Sequence, residues 1–434
     1  MAEKEKKVST FRSFPKNFWT VIVMEFFERG AYYGVMSVLS VYLILDISKG
    51  GLGFSKESVG IIKSTITPLL YFLPILSGAI ADRFGYRKTL MFAFIVMSFG
   101  YFLTSLMTSY SLVFFSLLLM VIGAGFFKPI ISGTIARSTD KSNSTLGFGI
   151  FYWSINLGAF LFPLIIIPIL KDIAWSSIFV MASICTGWLV LLNIFVYKEP
   201  EKPASSKTVP QILKEAALVI KDFRFILMIV IYSGFWILYF QMFDTVLWYL
   251  KEYVDVTPVN NAINSFLSIF VNNPNWKFDS ETVTALEAGT IILLQLFISN
   301  LVKNTKALPT MIFGIFLGTI GMAILALSSH IWVFIIGIVV FSIGEMIAHP
   351  KFISYVGLIA PEDKKALYLG YSFLYGVIGS GIGGILGAKL YVHYVDGLHQ
   401  PSTLWIIFSL IGVATIIGLF LYNKFLAPKS ESNL

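Results

Sequence analysis

Residues 17–45 read NFWTVIVMEFFERGAYYGVMSVLSVYLIL. A helix needs about 20 mostly apolar residues to cross the hydrocarbon core of a bilayer, and this stretch exceeds that length. Glu25, Glu28 and Arg29 nevertheless stand in its middle. On a helix, positions 25, 28, 29 and 32 share one face, with 33 at its edge. Lys128 interrupts a second apolar run, VIGAGFFKPIISG at 121–133, in the same way. One ionisable residue at a helix centre costs about 2.5–3.5 kcal/mol, so four cost on the order of 10 kcal/mol before pairing. A salt-bridge knot, Glu25 with Arg29 and Glu28 with Lys128, would recover part of that. Buried ion pairs seldom out-stabilise well-packed apolar replacements, so the cluster reads as functional. Two buried carboxylates beside two cations can trade a proton, which makes Glu25, Glu28, Arg29 and Lys128 the expected proton-coupling residues.

The rest of the chain follows this pattern. Of 434 residues, 56% are hydrophobic and 13% charged, with a mean hydropathy of +0.80, against roughly 45–50% and 25% in soluble domains. Apolar runs place spans at 17–45, 58–80, 89–108, 112–136, 148–170 and 175–197. A second set falls at 225–250, 281–302, 308–328, 331–352, 367–394 and 403–423. The expected fold is therefore all-α and membrane-integral, with twelve spans. The first sixteen residues are polar and basic, and no cleavable leader is expected. The net charge of +8 does not point to nucleic acid. With the N-terminus placed inside, 22 of the 32 Lys and Arg fall in inside segments, as the positive-inside rule requires. Both termini are expected in the cytoplasm, in a multi-pass protein of the plasma membrane. The Asn143-Ser144-Thr145 sequon then faces inward and carries no weight. The single cysteine, Cys185, lies within a span, and the four histidines show no metal-ligand spacing, so no disulfide framework, metal site or cofactor is expected.

The longest inside stretch divides the chain into bundles at 1–197 and 225–434, joined by a linker at 198–224. The linker opens KEPEKPASSKTVP and turns helix-like over 211–222, as an interfacial helix would. Two equal halves are common in secondary transporters, with the substrate site between them near the bilayer midplane. A GxGxxG match at Gly379–Gly384 lacks the preceding strand that dinucleotide binding needs. Gly379, Gly383 and Gly387 instead form a small-residue face for close helix packing. Between spans two and three, Gly78-Ala-Ile-Ala-Asp82-Arg83-Phe-Gly85-Tyr-Arg87-Lys88 spaces its Gly and charged residues too particularly for an ordinary basic loop. Asp82, beside a helix N-terminus, is placed to hold a neighbouring helix in one of two conformations.

These residues resemble a known pattern. GAIADRFGYRK is similar to the loop motif of the major facilitator superfamily, which implies twelve helices in two six-helix bundles. More narrowly, Glu25-Phe-Phe-Glu28-Arg29-Gly-Ala-Tyr32-Tyr33-Gly34 resembles the ExxERFxYYG signature of proton-dependent oligopeptide transporters. The resemblance continues through Tyr71-Phe-Leu-Pro74, Gly125-Phe-Phe-Lys128-Pro129 and Phe151-Tyr152-Trp-Ser-Ile-Asn156-Leu-Gly158. In the second half it takes in Phe235-Trp236, Gln241, Gly344-Glu345 and Pro350.

The resemblance implies that Glu25, Glu28 and Arg29 handle the proton and that Arg29 with Lys128 meets a peptide carboxylate. It also implies that Glu345 meets the peptide amino group, while Tyr32, Tyr33, Tyr71, Asn156 and Trp236 line the cavity. The sequence departs from the pattern in places. The motif phenylalanine is Gly30. An arginine after YYG and its helix-seven glutamate partner are replaced by Met36 and Phe240. The helix-eight segment ALEAGTIIL puts Glu287 near an expected Asn, which adds it to the substrate-binding set. The two helices that many bacterial members insert between the halves are absent. The implied function is a proton-coupled symporter of di- or tripeptides or similar small zwitterions, a monomer working by alternating access with protons as coupling ion. An organic-anion or drug transporter of the same fold is the alternative. An enzyme or sensor has no nucleophile–base pair or soluble catalytic domain to support it.

Overall fold

The computed structural model describes residues 14–140, 143–199, 209–361 and 364–427. The basic N-terminal stretch up to 13 and the linker stretch 200–208 lie outside the described residues. Among the described residues, eleven helices are long and apolar enough to cross a membrane. They are α2 (Lys56–Phe84), α3 (Tyr86–Leu106), α4 (Tyr110–Arg137), α5 (Leu146–Ile173), α6 (Trp175–Phe195), α7 (Phe223–Phe243), α8 (Ser280–Val302), α9 (Ala307–Leu325), α10 (Ile331–Ile359), α11 (Leu367–Gly397) and α12 (Pro401–Phe425). The twelfth span, α1 (Lys16–Ile44), has the length, with 29 residues. Its central charges lower its hydropathy below that of the others. A further helix, Val209–Ile220, precedes α7. Among the described residues the sole β-type pairing is an isolated bridge between Asp255 and His330.

The packing repeats with a shift of six helices. In the first bundle α3 packs on α4 and α6, α1 on α5 and α6, and α2 on α4; in the second, α9 packs on α10 and α12, α7 on α11 and α12, and α8 on α10. Between bundles, α2 meets α11 and α5 meets α8, which obeys the same shift. Lipid tails give apolar helices no hydrophobic reason to associate, so small residues that allow close van der Waals contact decide where they meet. A Cβ on Gly100 or Gly123 would collide with Met120 or Met97 across α3–α4, and one on Gly314 or Gly344 with its counterpart across α9–α10. On α11, Gly379 and Gly387 abut Trp236 and Gln241 of α7, whereas Gly376 and Gly384 abut Tyr71 and Ser64 of α2. Helix α11 is thus wedged between α7 of its own bundle and α2 of the other.

The near end is taken here as the end where α1 begins and α12 finishes. At the opposite, far end, ion pairs join the bundles. Lys56 at the start of α2 reaches Glu252 and Asp396, each at 2.8 Å. Lys171 at the end of α5 bonds Asp279 at 2.7 Å and also Glu281. Burial works against a charge on Asp279, yet Lys171 and Lys251 together hold its carboxyl below the usual carboxylate range.

Candidate functional site

Three buried ionisable residues of α1, Glu25, Glu28 and Arg29, and the half-buried Lys128 of α4 begin the site. The Arg29 guanidinium donates to both carboxylate oxygens of Glu28, through Nη2 at 2.7 Å and through Nε. Its Nε lies 3.7 Å from Glu25 Oε1, and the group stacks 4.9 Å from the Tyr32 ring. This corrects the expected pairing of Glu28 with Lys128. The planar fork of an arginine matches both oxygens of one carboxylate, so Arg29 takes Glu28 whole. Lys128 instead rests against the rings of Tyr71 and Phe373, at 5.7 and 5.3 Å, with no carboxylate partner among the described residues.

Lys128 faces a cavity of about 820 Å³ between the bundles. Tyr33, Tyr71 and Asn156 line it from the first bundle, and Trp236, Glu287 and Glu345 from the second. The Asn156 amide donates to its own helix, to the Tyr152 carbonyl at 3.0 Å. Trp236 stacks on Tyr375 with ring centroids 4.3 Å apart and leaves its indole N–H unpartnered. Glu287 is buried and Glu345 half-buried, each with a buried oxygen that accepts no hydrogen bond, and no Lys or Arg pairs with either among the described residues. Lys351, the nearest cation along α10, is engaged elsewhere, donating to the Thr305 carbonyl at 2.7 Å. His349, one helical turn after Glu345, also lines the cavity and leaves Nδ1 unpartnered. The cavity continues toward the near end past Gln295, Ser299 and Pro350.

Arg29 and Tyr32 line a second lobe of about 710 Å³, nearer the far end, which meets the first at Tyr33, Tyr71, Lys128 and Tyr239. Glu25 and Glu28 border neither lobe and sit behind Arg29. The far lobe holds an ion pair that sequence reasoning missed. Lys63 of α2 lies 3.0 Å from Asp244, with the two side chains only 6% and 7% exposed. Asp244 occupies the break between α7 and the short helix Thr245–Tyr253. The Lys63 ammonium also lies 4.0 Å from the Met36 sulfur. Charges missing at Met36 and Phe240 are therefore present close by, moved across from α1 to α2 on one side and four residues along, from 240 to 244, on the other. The available signal was a lysine inside an apolar span.

Gly30 is explained by a similar exchange. The ring of Phe162 on α5 covers it, so that a Cβ on Gly30 would stand 2.4 Å from ring carbons. The space of the expected phenylalanine is filled from the neighbouring helix. That ring also packs edge-on against Phe26 and Phe27.

The loop motif forms a clamp within the first bundle at the near end. Asp82 binds Arg137 of α4 at 3.1 Å rather than capping a helix. The α3 N-terminus is capped by Glu199, whose carboxylate accepts from the Tyr86 and Arg87 amides at 2.6 and 2.8 Å. The side chain of Arg87 donates to carbonyls of Asn193 and Ile194 at the end of α6. Gly85 has φ +101°, a conformation that favours glycine. Gly78 faces Pro129 of α4, Arg83 lies over Phe84, and Lys88 is exposed.

Comparison with known proteins places this geometry. The family model described as Major Facilitator Superfamily matches residues 19–274 and 260–433. A di-/tripeptide transporter of Lactococcus lactis subsp. lactis is 30% identical over 254 residues, covering 55% of this chain and 49% of that protein. An uncharacterized transporter of Bacillus subtilis is 35% identical over 159 residues, 36% of this chain and 32% of that one. The chain spans about a third to a half of the length of these curated relatives. Among solved structures, a POT family transporter in complex with 5-aminolevulinic acid superposes with a TM-score of 0.77 at 22% identity, covering 96% of this chain and all of that one. A peptide transporter POT in complex with sulfate superposes with a TM-score of 0.74 at 21% identity, covering 94% of each chain. At these identities the structural likeness speaks to the fold.

Proposed function

We propose, because this chain belongs to the Major Facilitator Superfamily, that it is a proton-coupled symporter of di- or tripeptides or similar small zwitterions, working as a monomer by alternating access. One observation carries the reading: among the described residues, Lys128 without a carboxylate and Glu287 with Glu345 without a cation line the same cavity. A solute with a carboxylate at one end and an ammonium at the other supplies what each wall lacks. Hydrogen bonds to ionised partners, worth about 1.5–3 kcal/mol each, then orient it, while Tyr33, Tyr71 and Trp236 enclose its body.

The peptide names of the curated relatives agree with this chemistry. The cavity reaches toward the near end, and the far end is tied by Lys56, Lys63 and Lys171 to carboxylates of the other bundle. The positive-inside pattern makes the near end cytoplasmic, in the plasma membrane. Loading from the far side then requires those pairs to part. Protonation of Glu25 or Glu28 frees Arg29 from part of its hold, which ties the proton to the lobe above the substrate.

The test compares Ala-Ala with N-acetyl-Ala-Ala and with Ala-Ala amide, bound to the purified protein. Blocking either end should cost about ten- to a hundredfold in affinity. Glu345→Gln should erase the difference between free and acetylated peptide. If the unmodified protein does not distinguish blocked from free peptides, the zwitterion reading is wrong.

A further inference from the structure

The charges around the two lobes do not balance. Arg29 stands between two carboxyl groups, Glu28 at hydrogen-bonding distance and Glu25 at 3.7 Å. The Lys63–Asp244 pair is neutral on its own. Among the described residues, that leaves Lys128 as the cation of the cavity free to meet a solute anion, against two carboxyl groups, Glu287 and Glu345, on the wall of the second bundle. These two lie side by side on α8 and α10, close enough to share a single proton or cation. Neighbouring buried carboxylates repel strongly when both are ionised. A plain zwitterion brings one positive charge to this wall, so the second carboxyl group must hold a proton, whereas a solute with two cationic groups answers both. His349 lines the same wall.

We infer that the Glu287–Glu345 pair is a dicarboxylate subsite and that the preferred solutes carry one more positive than negative charge, namely dipeptides with a lysyl or arginyl side chain. This rests on the reading of the cavity as a peptide site. The carboxylate of such a solute meets Lys128, and its two cationic groups spread over Glu287 and Glu345. Glu287 is then the residue that sets charge preference, since it adds the second negative charge to the wall that Glu345 already occupies.

The test is calorimetric binding to the purified full chain of Ala-Lys, Ala-Ala, Ala-Glu, free lysine and a linear diamine. Ala-Lys is expected to bind about ten- to a hundredfold more tightly than Ala-Ala, with Ala-Glu weakest. Glu287→Gln should remove the advantage of Ala-Lys over Ala-Ala, and Glu287→Asp should keep it; both proteins must elute as single species with the parental unfolding temperature. Equal affinity for Ala-Lys and Ala-Ala in the unmodified protein overturns the inference but leaves the peptide reading standing. So does a Glu287→Gln protein that weakens both dipeptides by the same factor. Binding of lysine or the diamine without any dipeptide overturns the peptide reading and supports the charge preference. Failure of every solute to bind overturns both.

Discussion

Removing one partner of the Lys63–Asp244 pair should open the far end of the cavity. The two groups stand 3.0 Å apart and are almost fully buried. At an effective dielectric of about 20, charges at that separation attract by roughly 5–6 kcal/mol. Truncating one partner of a buried pair costs about 3–5 kcal/mol, because the other charge is left uncompensated. Of the other far-end ties, Lys56 with Glu252 and Asp396 is partly exposed and falls in the range of about 0–1 kcal/mol for each pair, whereas Lys171 with Asp279 and Glu281 is largely buried. The Lys63–Asp244 pair is therefore one of two well-buried ties on the closed state, and the one that lines the far lobe. A loss of about 3 kcal/mol shifts a two-state population by about a hundredfold. The readout is a reporter cysteine at Thr67, buried in the far lobe, in a Cys185→Ser background that leaves no other thiol. A membrane-impermeant maleimide applied from the far side should label it at least an order of magnitude faster in Lys63→Met or Asp244→Leu than in the parent. The double variant replaces the pair with apolar side chains like those already at Met36 and Phe240, and should return labelling toward the parental rate. If neither single variant labels faster, the pair does not hold the far end closed.

Other outcomes follow from the same geometry. Glu25→Gln and Glu28→Gln should retain substrate counterflow, which needs no net proton movement, yet lose gradient-driven accumulation; accumulation surviving in both would remove these residues from coupling. Gly30→Ala should destabilise the protein by about 1–3 kcal/mol, the usual range for overpacking, because its Cβ meets the Phe162 ring at 2.4 Å. Phe162→Ala in the same chain should recover part of that loss, read as the unfolding midpoint in detergent, and additive losses would mean that the ring is not the obstacle. A cysteine at Ser205 should react with an impermeant reagent only after the cells are opened, and labelling of intact cells would invert the assigned orientation.

Most of the architecture was readable because hydropathy is a local property. Every run of some twenty apolar residues became a helix. The same property explains the exception, α1, whose Glu25, Glu28 and Arg29 lower its hydropathy while marking it as functional. Pairing was less readable. Whether Glu28 meets Arg29 or Lys128 depends on how α1 faces α4, and helical periodicity fixes only the face. The Lys63–Asp244 pair joins two bundles, and nothing local to either residue names the other. A search confined to the expected positions finds only Met36 and Phe240 there. Phe162 over Gly30 is a similar case: volume lost on one helix was supplied by another. Asp82 illustrates the limit of a motif, since its spacing was recognised but the α3 cap belongs to Glu199, more than a hundred residues away. Glu287, by contrast, was legible as a carboxyl group in an apolar span, because burying an acid in lipid is costly enough to need a reason.

The account stands or falls on whether the chain moves dipeptides on a proton gradient. Purified protein in sealed liposomes should accumulate labelled Ala-Lys when the outside is made acidic, and stop when a protonophore dissipates the gradient. Uptake that never exceeds equilibration, or that is indifferent to the protonophore, would contradict it.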